Sequence, residues 1–195
     1  MENKAAIRKR IRTLRSSLTE QQTAEYSRKI CQNLIKQKEL CQFEQIFVYS
    51  STQNEADLTD FIRYSWEHEI KIAFPKVHGQ EMDFYEVVCL EQLEAGAFGI
   101  LEPNASCNKV VPSIKQPFMM LVPGVAFSEK GYRIGFGKGF YDRYLARYPQ
   151  IHTIGIAYEN QICKEIPADE FDIPMDRIIT EEREVVINEK FGTIM

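Results

Sequence analysis

The segment Gly131-Tyr132-Arg133-Ile134-Gly135-Phe136-Gly137-Lys138-Gly139-Phe140-Tyr141-Asp142-Arg143 sets three alternate glycines, Gly135, Gly137 and Gly139, beside two cations, Arg133 and Lys138. Phe140, Tyr144, Leu145 and Tyr148 then recur at helical spacing, so the glycines lead into the start of a helix. Glycine lets the backbone turn and approach a ligand closely, a helix N-terminus presents unpaired N–H groups, and the cations add charge. Such a loop suits an anion, with phosphate the natural guest. It is neither a dinucleotide fingerprint, since Phe140 stands where the third glycine would be, nor a P-loop, since Gly139 rather than Ser or Thr follows Lys138. The competing reading is a tight strand-to-helix connection with no ligand.

Asp142, in the first turn of that helix, fits as a favourable charge at a helix N-terminus. Beside phosphate it also suits Mg²⁺, which takes one or two carboxylates together with phosphate oxygens. Lys4 and Arg8 stand at i and i+4 and share one side of an N-terminal helix, although most basic helix faces are only solvated. Glu55 follows a short apolar run and suits either a helix cap or a ligand beyond a strand end. Asp172 and Asp176, around Ile173-Pro174-Met175, suit a turn equally well, and spacing does not choose between them.

The elements that must hold these residues follow from periodicity. Ile7, Ile11 and Leu14 predict a cationic amphipathic helix over 3–15. Thr19 and Gln22 form a capping box for a second helix with Tyr26, Ile30 and Leu34 on one face. Ile46–Tyr49, Ile70–Pro75, Phe84–Val88, Phe118–Val122, Thr153–Ala157, Ile178–Thr180 and Val185–Ile187 read as strands, while Leu58, Phe61, Ile62 and Trp66 mark a further helix. The stretch 91–116, interrupted by Gly96, Gly99, Pro103 and Pro112, reads as irregular. Strands alternating with helices predict a three-layer α/β/α sandwich on a mainly parallel, mixed sheet.

With 195 residues, 44% hydrophobic and 27% charged, the chain is expected to form a single domain over 1–195. A net charge of −4 provides no global attraction for nucleic acid. The absence of an apolar run of about 18 residues and of an N-terminal hydrophobic segment predicts a soluble cytoplasmic protein with no membrane partner. Five dispersed cysteines and three dispersed histidines favour neither a disulfide framework nor a zinc site.

These residues resemble the 5-formyltetrahydrofolate cyclo-ligases, also called 5,10-methenyltetrahydrofolate synthetases. The resemblance rests on Pro123-Gly124-Val125-Ala126-Phe127, the run from Gly131 to Arg143, Lys4-x-x-x-Arg8, Glu55, Phe98-Gly99-Ile100-x-Glu102-Pro103 and Asp172-x-x-x-Asp176, in the family's order along nearly the whole chain. It departs at Phe140, where members often have Tyr, and at Ser50, where a larger apolar residue can line the folate site.

The resemblance implies an ATP- and Mg²⁺-dependent conversion of 5-formyltetrahydrofolate to 5,10-methenyltetrahydrofolate with release of ADP and phosphate. ATP is expected at Lys4, Arg8, Arg133, Ile134, Gly135, Phe136, Gly137, Lys138, Gly139, Phe140 and Tyr141, with catalysis by Lys138, Arg133 and Tyr141. Folate is expected at Ser50, Glu55, Phe98, Gly137, Lys138 and Tyr141, and Mg²⁺ at Asp142 and Asp176. The implied protein is a monomer acting on a small molecule. Two other classes remain open: a different ATP-dependent phosphotransferase on the same loop, and a nucleic-acid module led by the basic helix.

Overall fold

The computed structural model describes residues 2–52, 54–96 and 99–188. In chain order its helices are α1 (Lys4–Ser16), α2 (Glu20–Ile35), α3 (Thr59–Glu67) and α4 (Phe140–Arg147). Its strands are β1 (Gln45–Phe47), β2 (Ile72–His78), β3 (Glu81–Glu86), β4 (Leu93–Ala95), β5 (Leu101–Pro103), β6 (Lys109–Val110), β7 (Phe118–Pro123), β8 (Ala126–Ser128), β9 (Arg133–Ile134), β10 (His152–Ile156), β11 (Ile162–Cys163), β12 (Arg177–Ile179) and β13 (Glu184–Val186).

Eight strands form the main sheet in the order β13-β12-β10-β7-β1-β2-β3-β6. The inner five, β12 through β2, run parallel, β13 at one edge and β3 towards the other run antiparallel to them, and the edge strand β6 pairs antiparallel with β3 and so returns to their direction. From β1 the chain proceeds to β2 on one side and later returns to β7 on the other. The strand order therefore reverses between β1 and β7, and in such sheets ligands bind beyond the carboxyl ends of the strands at that point.

Alternation along the central strands builds two cores. Ile46, Met119, Leu121 and Ile154 pack with Ile30 and Leu34 of α2 and Phe61 and Ile62 of α3. Phe47, Phe118, Met120 and Val122 face the other way, where Tyr144 and Leu145 of α4 join Phe84 and Phe127. The result is the α/β architecture expected from the sequence.

α1 packs Ile7 and Ile11 on Val125, Ala126, Ile134 and Ile166, beside a small sheet ordered β11-β8-β9. One local expectation changes. The stretch 91–116 is not wholly irregular, since β4 and β5 pair antiparallel and β6 joins β3. Pairings of two or three residues are too short to imprint a period of two on the sequence.

Candidate active site

A cleft of about 370 Å³ opens at the carboxyl ends of the parallel strands. Tyr49 and Ser50 follow β1, Pro75 and Val77 belong to β2, Pro123 ends β7, and Gly135, Phe136 and the run Lys138–Asp142 close the far side. Its position coincides with the reversal of strand order between β1 and β7.

The glycine loop owes its path to backbone conformations that side chains resist: Gly137 and Gly139 sit at φ +96° and +67°, and Gly139 is the N-cap of α4. The first helical hydrogen bond runs from Arg143 N to Gly139 O at 3.1 Å, so the amides of Phe140, Tyr141 and Asp142 precede the helical ladder at the head of the cleft. Arg143 secures the loop from below by donating to the carbonyl of Lys138 at 2.9 Å. Lys138 itself is exposed and lines the cleft.

Arg133, on β9, is buried, with its guanidinium donating to Asp142 Oδ1 at 2.9 Å and to the carbonyl of Ile173 at 3.3 Å. Burial pulls its pKa down, and the neighbouring carboxylate of Asp142 opposes the shift. Its guanidinium carbon lies 5.9 Å from the ring centre of Tyr141. The Tyr141 hydroxyl is pushed up by burial and then by the negative charge of Glu55, so it remains a proton donor.

Glu55 is buried on the opposite wall, where its Oε2 accepts from Thr52 N at 2.9 Å and Thr52 Oγ1 at 2.8 Å. The same loop presents Tyr49, whose hydroxyl donates to Ala56 O at 2.7 Å and is held protonated by burial. The Ser50 hydroxyl donates to Leu101 O at 2.6 Å. Phe136 stands 46% exposed at the lip, flanked by the guanidiniums of Arg12 and Arg15 at 5.3 and 5.9 Å from its ring centre. Arg15 is buried, and its Nη1 has no hydrogen-bond partner among the described residues.

The structure thus brings Ser50, Glu55, Arg133, Gly135, Phe136, Lys138, Gly139, Phe140, Tyr141 and Asp142 around one cleft. Lys4 and Arg8 reach the same region from α1 without lining it. The Lys4 ammonium bridges Asp169 at 2.6 Å and Asp172 at 2.5 Å, and Arg8 Nε donates to Gly135 O at 2.8 Å, with Gly137 close to its guanidinium. Phe98 lies outside the described residues.

Two expected residues lie away from the cleft lining. Ile134 turns its buried side chain into the α1 core. Asp176 sits at the amino end of β12, where its Oδ2 accepts from Thr153 N at 3.0 Å and Thr153 Oγ1 at 3.2 Å, and its Oδ1 from Asn188 at 3.4 Å. Thr153 is level with Met120 of β7, three residues or about 10 Å of strand short of Pro123. Besides Asp142, the carboxylate whose charge acts on the Arg133 guanidinium is Asp172. Burial disfavours the charged form of Asp172, yet hydrogen bonds from Lys4 and the Asp169 amide, with Arg133 nearby, hold its pKa down.

Sequence reasoning also passed over Glu102 as a site residue. It is buried, lines the cleft on β5, and accepts from Val77 N at 3.2 Å through Oε1. Its signals were its place in the motif Phe98-Gly99-Ile100-x-Glu102-Pro103 and a carboxylate set between apolar residues. Among the described residues no group of three or more His, Cys, Asp or Glu is arranged to hold a metal ion.

The family model described as the 5-formyltetrahydrofolate cyclo-ligase family matches residues 1–181. The chain is 28% identical over 178 residues to the 5-formyltetrahydrofolate cyclo-ligase of Haemophilus influenzae, covering 89% of this chain and 95% of that one. It is 33% identical over 184 residues to that of Mycoplasma pneumoniae, covering 92% and 99%. Among solved structures, the NMR structure of Aquifex aeolicus 5,10-methenyltetrahydrofolate synthetase aligns with a TM-score of 0.83 at 34% identity, over 95% of this chain and 93% of that one. The 5,10-methenyltetrahydrofolate synthetase from Mycoplasma pneumoniae aligns with a TM-score of 0.75 at 30% identity, over 92% and 99%.

Proposed function

The chain belongs to the 5-formyltetrahydrofolate cyclo-ligase family, and on that premise we propose that it uses MgATP to convert 5-formyltetrahydrofolate to 5,10-methenyltetrahydrofolate, ADP and phosphate. The observation that carries this reading is the juxtaposition, in one cleft, of a cation-flanked glycine loop and a second wall bearing Glu55.

The chemical difficulty is a poor electrophile. The formyl carbon on N5 is deactivated by its nitrogen, and its oxygen leaves badly. Transfer of the γ-phosphoryl group to the formyl oxygen makes that oxygen a leaving group, after which N10 attacks the carbon, the ring closes and phosphate departs. Phosphoryl transfer depends on positioning and charge stabilisation more than on a protein nucleophile.

In this reading the amides at the start of α4 and the Lys138 ammonium face the triphosphate, while Arg133 supplies a fixed positive charge beneath the loop. Arg8 holds the loop through Gly135 O. The protonated Tyr141 hydroxyl donates near the reacting oxygen, and Glu55 accepts from N–H groups of the folate. Ser50 and Phe140 complete the walls. Asp142 and Asp172 are the carboxylates suited to Mg²⁺, because both neighbour Arg133 and because this cation prefers few carboxylates with phosphate oxygens completing its shell. When bound, that ion neutralises charge on the transferring phosphoryl group. The main sheet takes in strands from β1 to β13, which supports a single domain. No helix among the described residues is long and apolar enough to cross a membrane.

Incubation with 5-formyltetrahydrofolate and MgATP tests the reading. Methenyl-folate absorbance and ADP should rise in equal amounts, and neither should appear when ATP or Mg²⁺ is left out. A stable phosphorylated acceptor would point to another phosphotransferase, and salt-sensitive nucleic-acid binding without ATP turnover to a binding module.

A further inference from the structure

The cleft holds a second carboxylate whose surroundings call for a ligand. β2 runs on past its last pairing with β1 at Ala73, and over that extension β5 approaches it. There Glu102 is only 7% exposed, and its side chain's one hydrogen bond among the described residues is the 3.2 Å contact from Val77 N to Oε1. Its other oxygen has no hydrogen-bond donor among the described residues, and none of their Lys, Arg or His side chains forms an ion pair with it. The nearby Lys76 instead donates to Pro103 O at 2.6 Å and pairs with Glu94 at 3.9 Å.

A carboxylate accepts about four hydrogen bonds, and burying one against Val77, Met82 and Ile100 is costly unless donors arrive. Gly96 lies so close to this carboxylate that any side chain there would collide with Glu102 Cγ and Oε2. The carboxylate is thus wedged between a strand amide and a glycine backbone in an apolar wall. That fixes its direction and leaves its remaining acceptor capacity to whatever enters the cleft.

We propose that Glu102 is the specificity residue for the pyrimidine edge of the folate, accepting from the N3–H and the 2-amino N–H of its 2-amino-4-oxopyrimidine ring. These two donors lie side by side, as a carboxylate prefers, and the flat apolar wall of Val77, Met82 and Ile100 suits the ring itself. Glu55 is less suited to this edge. Its Oε2 already takes two bonds from Thr52, and its charge acts on Tyr49 and Tyr141 near the glycine loop. The two carboxylates divide the work: Glu55 beside the reacting centre, Glu102 at the recognition edge. The inference rests on the cyclo-ligase reading.

The test is a cycle of protein and ligand changes, read by calorimetric binding of 5-formyltetrahydrofolate without ATP and by steady-state kinetics. Glu102→Gln keeps an acceptor for Val77 N and replaces the other oxygen by a donor that opposes the ligand's own. It should raise the folate Kd and KM about 10- to 100-fold, with the ATP KM and the melting temperature unchanged. An analogue lacking the 2-amino group should bind wild type more weakly by a similar factor, and the variant no more weakly than the natural ligand does. Equal folate affinity in wild type and Glu102→Gln, or independent losses that multiply, would overturn the assignment while wild-type turnover keeps the cyclo-ligase reading intact. A wild-type chain that neither binds nor converts the folate would overturn both.

Discussion

Lys138 is exposed in the cleft, whereas Arg133 in the same loop is buried and paired with Asp142. Lys138→Ala should therefore raise the ATP KM about tenfold or more with little change in stability, as read by initial rates and thermal melting. The carboxylates separate more sharply. Asp142→Asn and Asp172→Asn should each raise the Mg²⁺ concentration needed for half-maximal rate. Asp176→Asn should leave that concentration unchanged and lower the melting temperature, because its Oδ2 ties Thr153 to the start of β12. A Mg²⁺ titration of the three variants checks the assignment. The glycine loop was legible in the sequence because its chemistry lies in thirteen consecutive residues. That Asp172 lies near Arg133 while Asp176 bonds Thr153 was not, since only the strand register separates the two positions.

At the level of elements, local signals were read well where they act locally. Thr19 and Gln22 make the reciprocal cap expected of them, at 3.2 and 2.9 Å. The alternation of Ile46, Phe47 and Val48 did sort the two faces of β1. What α1 packs against was not legible, because an amphipathic face specifies burial but no partner. β1 contributes only three residues, yet Phe47 is fully buried, stacks on Phe84 at 4.5 Å and meets Tyr144 edge-on at 6.2 Å. Phe47→Ala should cost about 3–5 kcal/mol, seen as a lowered urea midpoint with the slope preserved. Since Tyr49 and Ser50 follow directly, this core residue also sets the footing of one cleft wall.

Across the whole molecule, fold class was readable from the alternation of strands and helices, whereas strand order was not. The pairing of β7 with β1 joins residues more than seventy positions apart, and no periodicity encodes it. The same long-range packing makes the interior chemically quiet. Cys31 is 1% exposed and burial pushes its thiol up to about 11, whereas Cys41 is exposed. Alkylation by iodoacetamide at pH 8 should label Cys41 readily and leave Cys31 untouched until denaturant is added, as peptide mass mapping would show. The ion pairs from Lys4 to Asp169 and Asp172 join the first helical turn to residues 165 and 168 positions later. During translation the first helix therefore waits without its acidic mates until Asp169 and Asp172 have been added. The loop proposed to cradle phosphate is held by Arg8 on that same helix, so a product stalled before Asp169 would have its central strands β1, β2, β7 and β10 but not the anchor of the helix that steadies the loop.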